Sequence, residues 1–277
     1  MQALSEQAQP IKPLPDSKPL SLHALSRKIL PWTIPILIIV FWQLGSSLNL
    51  IDSSVLPGPI AVLQTMVSDL ASGKLERNMA ISMYRAVTGF IIGGSIGFIL
   101  ALASGLSKTL RLLLDSSVQM LRNIPHLALI PLLIIWLGVG EGSKIALVAV
   151  GVLFPIYINT FHGLTTVDPE LIEMGRSYQL SKWQQFTKIL LPGALPSILV
   201  GVRYALGVMW TTLIVSETIA SSSGIGYMST NAQNFMDMST IIMCIVIYAL
   251  LGKLSDVVAK SLENSLLTWQ QAGRSQQ

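Results

Sequence analysis

Six stretches of about twenty mostly apolar residues, 31–50, 84–104, 118–137, 144–161, 194–215 and 240–258, constrain this chain more than any other feature. A helix rises 1.5 Å per residue, so about twenty such residues cross the hydrocarbon of a bilayer. The expected fold is an all-α membrane protein with about six transmembrane helices. The charges agree with that reading: Asp, Glu, Lys and Arg make up 12% of the 277 residues, where an ordinary soluble domain carries about 25%. Such a deficit excludes a soluble enzyme and a disordered chain. Cys244 is the single cysteine, which excludes an intrachain disulfide and any multi-cysteine metal site.

About thirty polar, proline-rich residues precede the first stretch and no small-x-small cleavage site follows it. It is therefore expected to be a retained span and not a signal peptide. With the N-terminus in the cytoplasm, twelve Lys and Arg fall on inside segments, against Lys74, Arg77 and Lys144 outside. Cytoplasmic loops hold the basic excess, so both termini are expected in the cytoplasm. Arg85, Arg122 and Arg203 fall within spans, and the external loop 217–238 has no basic residue. The net charge of +4 thus reports orientation in a lipid membrane and gives no reason to expect nucleic acid.

Within the second span, Gly89, Gly93, Gly97, Ala101 and Gly105 place a small residue every fourth position. That spacing lines one helix face, where another helix can approach to backbone contact. Pro35, Pro125, Pro131, Pro155 and Pro196 interrupt other spans, each removing a backbone donor and inviting a kink.

Between the fourth and fifth spans lies an amphipathic cytoplasmic loop, 163–193. Asp168-Pro169-Glu170 is a helix start: a capping carboxylate, proline at the first position and an acid facing the positive helix end. This helix is expected to run to about Gln179. Ser181 and Gln184 have capping-box spacing for a second helix through Leu190, with Pro192 expected to end it. Two short helices held against a membrane suit docking to a partner protein.

Glu173-Met174-Gly175, then Gln179, Ile189 and Leu191-Pro192 resemble the EAA loop of binding-protein-dependent ABC importer permeases. Glu173, Ile189, Leu191 and Pro192 match that pattern in type and spacing, whereas Met174, Gly175 and Gln179 replace its Ala, Ala and Gly. Segments 82–90, 119–131, 154–160, 201–207 and 223–227 extend the similarity to the branch serving alkanesulfonate, taurine, nitrate, bicarbonate and thiamine-precursor import. The runs 119–131 and 192–210 most resemble aliphatic sulfonate permeases.

The resemblance implies a type I importer permease fold with a cytoplasmic coupling helix, embedded as a multi-pass protein in the bacterial inner membrane. It divides the chain into a cytoplasmic tail, 1–30, a first helix and external loop, 31–75, a transmembrane domain, 76–262, and a second tail, 263–277. Two copies would form the pathway and a solute-binding protein would deliver the cargo. Two ABC ATPase subunits would grip the loops through Asp168, Glu170, Glu173, Met174, Gly175, Gln179, Ile189, Leu191 and Pro192. ATP and Mg would be used by that partner. This chain has no Walker phosphate loop, and it is expected to bind no cofactor or metal and to act as a transport subunit without catalysis.

Arg122, His126, Asn159 and Arg203 are candidates for the solute path. Arg203, about eight residues into the fifth span, either attracts an anion such as a sulfonate or binds carbonyls freed by Pro155 or Pro196. Arg122 either faces the path or snorkels to the inner surface. Glu217 closes the fifth span on the outside, open to a binding protein or to interfacial water. The competing classes are an intramembrane enzyme and a secondary transporter. Against them stand the absence of His-Glu-x-x-His and Gly-x-Ser-x-Gly, and spans with almost no acid except Asp256.

Overall fold

The computed structural model describes residues 22–219 and 221–267, and the elements among them are all helical. In chain order they are α1 (Leu22–Ser47), α2 (Pro59–Ala71), α3 (Lys74–Leu106), α4 (Lys108–Arg122) and, after a 3-10 turn at His126–Leu129, α5 (Ile130–Leu137). Then come α6 (Glu141–Thr165), α7 (Pro169–Ser177), α8 (Lys182–Gln185), a π turn at Phe186–Leu190, α9 (Leu191–Ile219), α10 (Ile225–Asn234) and α11 (Met238–Leu266).

Among the described residues, four helices are long and apolar enough to cross a membrane: α3, α6, the continuous run Lys182–Ile219 and α11. The expected third span, 118–137, is not one helix. Ser116–Arg122 and His126–Leu137 meet at 85°, because Pro125 adopts an extended backbone with ψ 110° and cannot donate to the preceding turn. Counted as one broken span, the pair raises the total to five. The first expected span corresponds to α1, a single helix over Leu22–Ser47. It packs on α2 and leaves most of its large side chains exposed.

Helix α6 forms the centre, packed between α3 and α9. Val148, Val152 and Ile156 of α6 meet Ala205, Met209 and Leu213 of α9 and Met243, Cys244 and Ile247 of α11 in the main core. The small residues of α3 lie along α6. A Cβ on Gly89 would come within 2.7 Å of Val148, on Gly93 it would strike the Ala149 carbonyl, on Gly97 the Leu153 carbonyl, and on Gly105 it would come within 2.8 Å of Leu164. The matched order along both helices makes α3 and α6 parallel neighbours. Ala101 is fully buried in the same seam, beside Tyr157.

Candidate functional site

The loop joining α6 to α9 is built from two linked helix ends. Asp168 accepts the Glu170 N–H at 2.9 Å and Pro169 occupies the first helical position, which starts α7. The helix ends at Ser177, two residues short of the expected Gln179. There the Gln179 N–H donates to the Arg176 carbonyl at 2.8 Å and the Leu180 N–H to the Gly175 carbonyl at 3.0 Å. This pair of bonds is the Schellman motif, which requires a left-handed residue just beyond the cap. Gln179 supplies it with φ 54°. The turn thus keeps the geometry that glycine adopts most easily.

Ser181 and Gln184 form a reciprocal capping box, with Ser181 N–H to Gln184 Oε1 at 2.9 Å and Gln184 N–H to Ser181 Oγ at 3.3 Å. Pro192 does not end the helix that follows. The π turn at Phe186–Leu190 widens the backbone ahead of the proline, absorbing the missing donor, and the helix runs unbroken into α9. Gly175 is buried where α7 crosses this helix, and a Cβ there would lie 2.5 Å from Ile189 Cδ1. Ile189, Leu191 and Pro192 are half-buried against their own chain, whereas Glu173 is exposed. Leu171, Met174, Tyr178 and Trp183 are also exposed, Tyr178 at 76%. Asp168, Glu170, Glu173 and Arg176 are exposed in the same segment.

Other candidate residues are scattered. Arg122 is exposed in the last turn of α4. His126 shares a 3.0 Å hydrogen bond with Thr212 of α9, and Asn159 donates to the Pro155 carbonyl at 2.8 Å while packing on Gly201. Among the described residues, Arg203 binds no freed carbonyl. It donates from Nε to Asp256 Oδ1 of α11 at 2.8 Å, and its Nη2 lies 2.6 Å from the same oxygen.

The sequence missed a second polar centre. Arg85 of α3, fully buried, donates to Glu141 at the start of α6 (2.5 and 2.6 Å) and to Glu217 of α9 (2.7 Å). It also donates to the Ser223 carbonyl and hydroxyl, each at 2.8 Å. Glu217 further accepts from Ser82 at 2.8 Å, the Gly226 N–H at 2.9 Å and Tyr248 at 3.1 Å. The expectation of a solvated or docking Glu217 is therefore corrected: it is 1% exposed. Lys144, assigned above to an external loop, is buried in α6 with Nζ on the Gly140 carbonyl. An arginine inside a span was the available signal, since such a charge demands a partner. Local sequence gives no means of naming a partner more than 130 residues away.

Residues 93–268 match the family described as the binding-protein-dependent transport system inner membrane component. The putative aliphatic sulfonates transport permease protein SsuC of Escherichia coli (strain K12) is 54% identical over 88% of this chain and 93% of its own length. Its namesake in Bacillus subtilis (strain 168) is 43% identical over 85% and 86%. The taurine transport system permease protein TauC of E. coli is 32% identical over 86% and 88%. Among solved structures, an amino acid ABC transporter with histidines superposes with TM-score 0.57 at 17% identity, covering 68% of this chain and 92% of that one. An inward-facing methionine ABC transporter, MetNI, gives 0.51 at 20% identity over 72% and 98%.

Proposed function

The chain belongs to the binding-protein-dependent transport system inner membrane component family, and from that premise we propose that it carries aliphatic sulfonates into the cytoplasm. It is the membrane-embedded permease of an ABC importer, working with an ATPase and a solute-binding protein. The observation that supports the sulfonate assignment is the similarity, over most of both chains, to two permeases named for aliphatic sulfonates at 54% and 43% identity. Taurine, itself an aminoalkyl sulfonate, is the second reading, favoured by the 32% identical relative.

In the proposed assembly two copies of the chain enclose the path, with both termini in the cytoplasm. ATP and Mg act on the partner ATPase. Helix α7 seats in that subunit through Leu171, Met174 and Tyr178, with Glu173 at the rim. Because α8 continues without a break into α9, movement of the docked loop rotates or tilts a full span directly. The crossing at Gly175 keeps α7 and α8 moving as one piece.

Reconstituted with its ATPase and binding protein in proteoliposomes, the chain is expected to import butanesulfonate and to import taurine more slowly. Faster uptake of taurine than of butanesulfonate would move the assignment to the second reading. Neither Glu173→Lys nor Gly175→Glu should prevent membrane insertion, but each should lower ATP-driven uptake at least tenfold. Full uptake with both variants would remove α7 from the coupling role.

A further inference from the structure

Among the described residues, one face of α9 is exposed beside α11. Val200, Arg203, Tyr204, Gly207 and Thr211 follow one another at helical spacing along it, and with Gly252, Ser255 and Asp256 of α11 they line an open groove of about 620 Å3. The uncovered faces of α3 and α11 differ in kind, being lined by Ile91, Ile96 and Ile99 and by Ile245, Leu250 and Leu254. Those faces suit lipid, whereas the α9 face carries a guanidinium, two hydroxyls and a glycine with nothing near its Cβ position.

Depth decides what the groove can hold. Arg203 is fourteen residues before Glu217, about 21 Å along the helix, and twelve after Leu191, about 18 Å. An arginine at bilayer depth costs on the order of 2.5–3.5 kcal/mol on insertion scales, yet the Arg203 side chain is 51% exposed. The open side of the groove therefore faces water or protein and not hydrocarbon. Two cations share one carboxylate there, since Lys253 Nζ lies 3.7 Å from Asp256 Oδ2 while Arg203 holds Oδ1. The cluster keeps a net positive charge. Arg203 spends two of its five N–H donors on Asp256, and three remain for a ligand.

We propose that this groove is an intramembrane station for the solute, in which Arg203, assisted by Lys253, binds the sulfonate headgroup while the alkyl chain lies along Val200, Tyr204 and Gly207. The inference rests on the sulfonate reading above. A sulfonate carries a full negative charge and three acceptor oxygens at neutral pH, which matches three free donors on a planar cation. Asp256 orients the guanidinium and lowers the local field enough for the anion to leave again.

The test measures butanesulfonate imported per ATP hydrolysed by the complete importer in proteoliposomes. If wild-type importer hydrolyses ATP in response to the binding protein but imports no sulfonate, the substrate reading fails and the station fails with it. With wild type active, Arg203→Gln should lower the ratio at least tenfold while ATP hydrolysis stays within twofold of wild type, and Arg203→Lys should recover part of the loss. The paired variant Arg203→Gln/Asp256→Asn removes both members of the Arg203–Asp256 pair, leaving only Lys253, whose side chain is 67% exposed, without its carboxylate, and serves if the single variant does not assemble. It should remain impaired. A wild-type ratio in Arg203→Gln, or its return in the paired variant as for a merely structural ion pair, overturns the proposal.

Discussion

Gln179 occupies a position where the loop pattern has glycine, and its φ of 54° shows what the pattern encodes. A left-handed residue with a Cβ costs about 1–2 kcal/mol, and the two Schellman hydrogen bonds hold it there. Gln179→Gly should change stability by less than about 1 kcal/mol, because relief of strain is offset by glycine's larger chain entropy, and should leave coupled uptake intact. Gln179→Val, β-branched at positive φ, should destabilise the loop by roughly 1–2 kcal/mol and speed its cleavage by protease. The seam on α3 makes a second residue-scale case. Gly93→Leu would drive a side chain into the Ala149 carbonyl and should cost about 1–3 kcal/mol or more, read as a lower melting temperature in detergent. Gly207→Ala, with open space around it, should be neutral for folding. Four-residue spacing of small side chains announced a seam in α3. Its partner, α6, was not legible, because spacing describes only one of two facing surfaces.

At the scale of elements, apolar length alone located α3, α6, α9 and α11 to within about a turn at most ends. It failed where backbone chemistry outweighs apolar content. Residues 118–137 are apolar enough for one crossing, yet Pro125 divides them at an 85° bend. Pro192 showed the opposite, a proline expected to stop a helix that instead rides through a π turn. The difference lies in whether neighbouring turns can widen to absorb one missing donor, which depends on packing and not on the proline itself. The short helices were legible from their caps, since Asp168-Pro169 and Ser181 with Gln184 are local devices. Exposure of Met174 on α7 and of Tyr178 at its C-cap predicts that Met174→Ser/Tyr178→Ser changes the stability of the isolated permease by no more than about 0.5 kcal/mol, as surface changes do. The same pair should weaken copurification of the ATPase several-fold.

Across the whole molecule, the Arg85 cluster ties together elements that lie far apart in the chain. Through Arg85, Glu141, Glu217 and Tyr248 it links α3, α6, α9 and α11, and through Ser223, Ile225 and Gly226 it fixes the entry to α10. Gly224 turns with φ 104° directly against the Glu217 carboxylate, a place with no room for a Cβ. Removing one member of a buried ion pair leaves the other charge uncompensated, a loss of about 3–5 kcal/mol, whereas replacing both with apolar groups is often nearly neutral. Arg85→Leu should therefore abolish accumulation of folded permease, because Glu217 would be stranded. Glu217→Gln should be milder, since Glu141, 51% exposed in its side chain, still partners the guanidinium. Arg85→Leu/Glu217→Leu should restore a folded, membrane-inserted chain, measured as monodisperse protein in detergent, while leaving the segment before α10 without its anchors. Faster proteolysis at 221–226 in that double variant, with helical content unchanged, is the expected signature of a latch that positions the segment leading into α10. Equal protection in the two proteins would assign the cluster to folding alone.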